Sequence, residues 1–192
     1  MTILIIGLII FLGLHSLRVV ADPWRTRQVA ALGEMRWKGL YSAVSIGSLA
    51  LVIWGFSLAR VGAPVLWVAP MGLHYVTALL VFVSFVLLTA AYVPGTRIKA
   101  ALGHPMTLGV MIWAVAHLLS AGSLADVLLF GSFLVWAAAV YTAARRRDRA
   151  AGTQPPAGRL ARDAVVLVIS AVAWIALAAG AHQWLFGLRP FA

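Results

Sequence analysis

The stretch that decides the fold is GHPMTLGVMIWAVAHLLSAG, Gly103 to Gly122. It opens on His-Pro, closes on Gly, carries a second histidine and holds no formal charge. A helix crossing a bilayer needs roughly 20 apolar residues, and this run has that length. Pro105 suits the first helical position, where no N–H is needed, and Gly122 suits the exit. An imidazole in hydrocarbon must be satisfied by a partner, so His104 and His117 are candidate site residues. Their separation corresponds to about 20 Å of rise and about 220° of rotation along a helix. They therefore serve different ends and nearly opposite faces.

The composition agrees. Of 192 residues, 63% are hydrophobic and 10% charged, against about half and a quarter in a soluble domain. The excess of basic residues, a net charge of +10, falls in short segments between apolar runs. That pattern speaks for membrane topology and anionic lipid headgroups rather than nucleic acid. The absence of cysteine excludes disulfides, thiolate metal sites, cysteine nucleophiles and covalent haem attachment through Cys-x-x-Cys-His.

Outward from the central stretch, five further apolar runs are legible. Residues 2–21 form the first; a signal peptide is disfavoured because a basic start is lacking and Arg18 interrupts the apolar region. Pro23 marks its exit. The second run, about 37–59, places Trp37, Tyr41, Ser45 and Ser48 on one helical face, which should turn inward because hydroxyls facing hydrocarbon lack partners. Hydroxyls on such a face bond to neighbouring helices or to their own backbone. Residues 60–70 read as a short turn with Gly62, Pro64 and Pro70. The third run, about 71–93, carries His74 and Thr77 near its start; the fifth is Ser123–Ala144, and the sixth, about 164–186, carries His182. Residues 145–163 (RRRDRAAGTQPPAGRLARD) read as a positive stop and a flexible, lipid-facing linker. The expectation is an all-α, polytopic membrane helix bundle of about six transmembrane helices, forming a single transmembrane domain over 1–192.

Twelve basic residues lie in the loops after the first, third and fifth runs, while Arg60 and Arg189 lie on the opposite side. By the positive-inside rule both termini are periplasmic, in a bacterial inner (cytoplasmic) membrane. Counting about 1.5 Å per residue, His74, His117 and His182 then lie within about two turns of the outer surface. His15 lies somewhat inside the midplane, and His104 at the cytoplasmic mouth. Neutral imidazole ligates iron, copper and zinc, so depth alone groups His74, His117 and His182 around a haem or metal. His104, before Pro105, reads as a helix-start cap or a headgroup contact. Asp126 and Glu34 belong to loops on opposite sides, which argues against a carboxylate-based hydrolytic centre.

Several motifs together resemble the NnrU family of bacterial membrane proteins. They are Leu14-His15-Ser16 with Arg18, Arg25 to Gly33, and Trp37-Lys38-Gly39-Leu40-Tyr41-Ser42. They continue as His104-Pro105, Gly109, Trp113, Ala116-His117-Leu118 and Gly122, so the likeness spans most of the chain. The resemblance implies a setting in nitrite and nitric oxide metabolism. It also implies kinship with plant zeta-carotene isomerase, a membrane haem b enzyme, whose axial ligands carry over to His15 and His117. Haem b is thus the expected cofactor, with His15, His117, His74, His104 and Trp113 as the candidate cofactor-binding residues and His117 and His15 as the iron ligands. The second ligand stands as His15 by resemblance and His74 by depth. His-Pro-x-x-x-Gly also resembles isoprenylcysteine-type S-adenosylmethionine methyltransferases, but Gly103 stands where that motif has Arg, and their C-terminal signature is missing. Two functional classes follow: a haem-dependent isomerase or oxidoreductase acting on an apolar small molecule or nitrogen oxides, and a non-catalytic membrane assembly factor. Membrane lipids are the expected partners in either case.

Overall fold

The computed structural model describes residues 1–70 and 72–187. The described chain is helical: α1 (Thr2–Val20), α2 (Asp22–Leu32), α3 (Glu34–Ala59), α4 (Leu73–Tyr92), α5 (Arg97–Leu102), α6 (Pro105–Ser120), α7 (Leu124–Ala150) and α8 (Leu160–Phe186). Five of these, α1, α3, α4, α7 and α8, are long and apolar enough to cross a membrane. The central stretch forms the shorter α6, whose 16 residues rise about 24 Å, somewhat less than a hydrocarbon core. Large apolar side chains such as Ile9, Ile46, Val168 and Val172 point outward, the reverse of a soluble protein and the proper face for lipid. The chain is a multi-pass membrane protein.

Two compact units make up the chain, Met1–Leu66 with Ser123–Ser132, and Trp67–Gly122 with Phe133–Ala192. In the first, α1 and α3 pack along faces that follow helical spacing: Leu4, Gly7 and Leu8 on α1, and Ser48, Val52, Gly55 and Ala59 on α3. A side chain at Gly7 would meet the backbone nitrogen of Val52, and one at Gly55 would meet the backbone of Leu4. Glycine is required at both places for space, as in small-residue membrane interfaces. Towards the other end the protected positions of α3 are Trp37, Tyr41 and Ser45, so the face expected from their spacing is the one turned inward. The Ser48 hydroxyl donates to the Val44 carbonyl at 2.7 Å, within its own helix.

The basic segment after α1 is not a loop. Pro23 sits in the first turn of α2 beside Asp22, and Gly33, at φ 82°, stops the helix. Trp24 packs edge-on against Trp37 with ring centroids 6.0 Å apart, which ties α2 to α3.

In the second unit α4 is central. Thr77 Oγ1 donates to the Ala116 carbonyl (3.0 Å) and Ser84 Oγ to the Gly109 carbonyl (2.8 Å), two rungs on α6 set two turns apart. On α8, Trp174 Nε1 donates to the Ala78 carbonyl and Ser170 Oγ to Thr89 Oγ1, both at 3.0 Å. Each such bond contributes about 0.6–2 kcal/mol between membrane helices. Gly122 has a different role from the one its position suggests: α6 ends at Ser120, and Gly122 makes room for the Trp67 carbonyl and ring. The 145–163 segment is likewise more ordered than a linker. α7 runs through Ala150, the Arg159 N–H donates to the Gly95 carbonyl (2.9 Å), and Gly158 lies against the backbone of Thr96. The 60–70 turn is joined to the start of α7 by a Leu124 N–H bond to the Pro64 carbonyl. Arg189, Pro190 and Ala192 lie outside the described residues.

The α1–α3 contact predicts that Gly55→Ala destabilises the detergent-solubilised protein by about 1–3 kcal/mol, because the obstruction is backbone that cannot swing aside. Gly13→Ala, which meets nothing within 4 Å, leaves the thermal unfolding midpoint in place or raises it.

Candidate functional site

His15 continues the inward face of α1 beyond Leu4, Leu8 and Phe11. It lines a cavity of about 450 Å³ at the end of the first unit away from the glycine contact. Ligand pockets start at roughly 300 Å³. Leu14, Leu17, Val29 and Trp37 give the cavity apolar walls, while Arg18, Arg25, Lys38 and Glu34 give it a charged rim. α1, α2 and α3 all contribute, so the helix that replaces the expected loop is part of the wall.

The His15 ring is held from two sides. Its Nδ1 lies 2.7 Å from the Phe11 carbonyl, and the Phe11 ring lies against it with centroids 4.2 Å apart. Tyr41 meets it edge-on at 5.4 Å. A carbonyl only accepts, so Nδ1 carries the proton, and in the neutral ring the lone pair sits on Nε2. Ser16 Oγ donates to the Leu12 carbonyl (2.7 Å), so the serine of the His-Ser motif serves its own helix.

The second unit repeats this arrangement. His117 Nδ1 lies 2.8 Å from the Trp113 carbonyl, and the Trp113 and His117 rings lie 5.1 Å apart. Trp113 in turn packs edge-on against Phe133, which packs against Trp136. Both histidines thus follow an aromatic residue at i−4 and give it their Nδ1 proton. The Trp113-x-x-x-His117 spacing has a counterpart in Phe11-x-x-x-His15, which stands in the sequence as the same local signal.

The remaining histidines differ. His104 uses Nε2, which lies 2.8 Å from Asp148 Oδ2, and its ring is crossed by Tyr141. Asp148 belongs to the RRRDR run, and the extension of α7 brings it to His104. His104 precedes α6 but its side chain does not cap the helix; its carbonyl accepts from Thr107 instead. His74 is half-buried in the first turn of α4, and His182 packs on Phe186. Asp126 is a helix cap: its carboxylate accepts from the N–H and hydroxyl of Ser123 at 2.9 and 2.6 Å. Among the described residues no three of His, Asp and Glu gather to hold a metal ion. A second cavity, about 510 Å³, lies along α4 and α8 and is walled by apolar residues such as Leu79, Phe82 and Trp174.

The model of the family described as NnrU protein matches residues 3–190. The chain belongs to the NnrU family. No curated protein and no solved structure matches it. The match encloses every histidine of this NnrU protein, the cavity around His15 and the Trp113–His117 pair.

The His104–Asp148 contact predicts non-additivity. His104→Ala and Asp148→Ala each destabilise the fold, and a double-mutant cycle on thermal unfolding yields a coupling of about 0.5–1 kcal/mol, modest because the pair is partly exposed.

Proposed function

We propose that this NnrU-family protein is a haem b protein of the bacterial inner membrane, with His15 and His117 as the imidazoles that would hold the iron. Its chemistry is redox or isomerisation, on nitrogen oxides or on an apolar substrate. One shared feature supports the reading: each ring gives Nδ1–H to the carbonyl four residues back. A ligating histidine ordinarily donates its other ring nitrogen to such an acceptor, which fixes the tautomer and the ring orientation and makes Nε2 the donor to metal. The residues fit an iron porphyrin by donor type: two such imidazoles, flanked by aromatic rings, with apolar walls and basic residues beside His15.

Haem b, when bound, supplies one-electron and Lewis-acid chemistry at its iron. The protein's own part is to hold and shield. Phe11 and Tyr41 fix the His15 ring, Trp113 fixes that of His117, and Leu14 and Leu17 keep water from the inner end of the cavity. His104 falls outside the ligand set, since its Nε2 is engaged by Asp148.

One observation favours a rival second ligand. Thr77, three residues after His74, bonds to the carbonyl of Ala116, the neighbour of His117. The helix turns that carry His74 and His117 therefore adjoin within one unit, in keeping with their similar expected depth. The rival class, an assembly factor without haem, uses the same histidines to join helices.

The basic residues beside α2, α5 and the α7–α8 connection support an orientation with those segments in the cytoplasm and the termini in the periplasm. A reporter inserted at Gln154 is expected to read as cytoplasmic; a periplasmic reading overturns this orientation.

The ligand test uses His117→Ala, His15→Ala and His74→Ala in folded, haem-supplied protein. We expect His117→Ala and His15→Ala to abolish the low-spin haem spectrum while His74→Ala retains it. Loss in His74→Ala with retention in His15→Ala exchanges the second ligand, and an unchanged low-spin spectrum in His117→Ala refutes the reading.

A further inference from the structure

The charges around the first-unit cavity are unevenly spent. Lys38 Nζ is held by Glu34 at 2.7 Å. Arg25 forms a loose ion pair with Asp22 at 3.7 Å, longer than a hydrogen bond. Among the described residues no carboxylate pairs with Arg18. Three cations and one anion line the cavity, a surplus of two positive charges among its lining side chains, with Asp22 beside Arg25 outside the lining. The two guanidiniums come from adjoining helices and flank apolar walls formed by Leu14, Leu17 and Val29. Arg18 is also one helical turn from His15, and positions three apart share a helix face.

We propose that this cavity takes an amphiphilic diacid, its apolar body against Leu14, Leu17 and Val29 and its two carboxylates on Arg18 and Arg25. The guanidinium fork matches a carboxylate in a bidentate manner, and a partly dry setting strengthens the pair. A singly charged lipid headgroup engages one of the two guanidiniums and has no use for an imidazole one turn deeper; a dicarboxylate on a ligand reaching His15 uses all three. The identity of the diacid rests on the haem reading: haem b carries two propionates on one edge of an apolar ring. Arg18 and Arg25 are then positioning residues that set the ring's orientation at His15.

The test compares haemin with its dimethyl ester, which keeps the ring and iron but loses both charges. Purified wild-type protein in detergent is titrated with each, and the low-spin spectrum reports ligation. The expectation is tighter binding of haemin, by about tenfold for each carboxylate–guanidinium pair. Arg18→Gln and Arg25→Gln each reduce the preference, and the double variant removes most of it while keeping the low-spin spectrum at saturation. Equal affinity of the wild type for the two ligands overturns the proposal without any variant, so a folding defect does not obscure the result. An undiminished preference in the folded double variant overturns it as well, as does loss of co-purified acidic phospholipid from that variant with the haemin preference intact, which assigns the cavity to a headgroup. Absence of any low-spin species with haemin refutes the haem reading itself, and the assignment of the diacid with it.

Discussion

The first unit depends on the contact of α1 and α3 at Gly7 and Gly55, where a side chain on either glycine meets the backbone of the facing helix. Lipid gives helices no hydrophobic reason to associate, so such a pair is held by close packing. Contact at one end has a consequence at the other. There the inward residues are Phe11, His15, Trp37 and Tyr41, too large for backbone contact, and the cavity opens beside His15, Trp37 and Tyr41. α2 closes its side because Trp24 and Trp37 anchor it to α3. The histidine is thus set in a cavity by the same packing that joins the helices.

In the second unit the joining is polar. Thr77, Ser84 and Trp174 reach carbonyls of neighbouring helices, so hydroxyl and indole hydrogens that hydrocarbon leaves unmet become the links between α4, α6 and α8. Against that fixed frame the Nδ1–H of His117 bonds within α6, to the Trp113 carbonyl. An imidazole bonded at Nδ1 within its own helix has its tautomer and ring orientation fixed there. His104 instead uses Nε2, which reaches Asp148 on α7.

Much of this was legible in the residues. The apolar runs mark the helices because lipid demands length and uniformity, and the Trp37, Tyr41, Ser45 spacing marks the inward face of α3 because polar groups have few other places to go. Three features were hidden for physical reasons. α2 lacks an apolar period, and its limits rest on the local cues Asp22-Pro23 and Gly33. Asp148 sits in a charge run, and only the extension of α7 reveals its pairing with His104, from 44 positions away. Gly122 reads as a helix stop, whereas its reason is the approach of Trp67 from a distant loop. Long-range contacts leave no local trace.

If the reading is right, the imidazoles of His15 and His117 bind haem iron. The most direct measurement is the absorbance spectrum of the wild-type protein purified in detergent from haem-replete cells, oxidised and then reduced. A Soret band and sharp reduced bands of six-coordinate low-spin haem b, co-eluting with the protein, are expected. Protein that is folded and shows no Soret absorbance, even after haemin is added, contradicts that reading and leaves His15 and His117 as structural residues of the helix bundle.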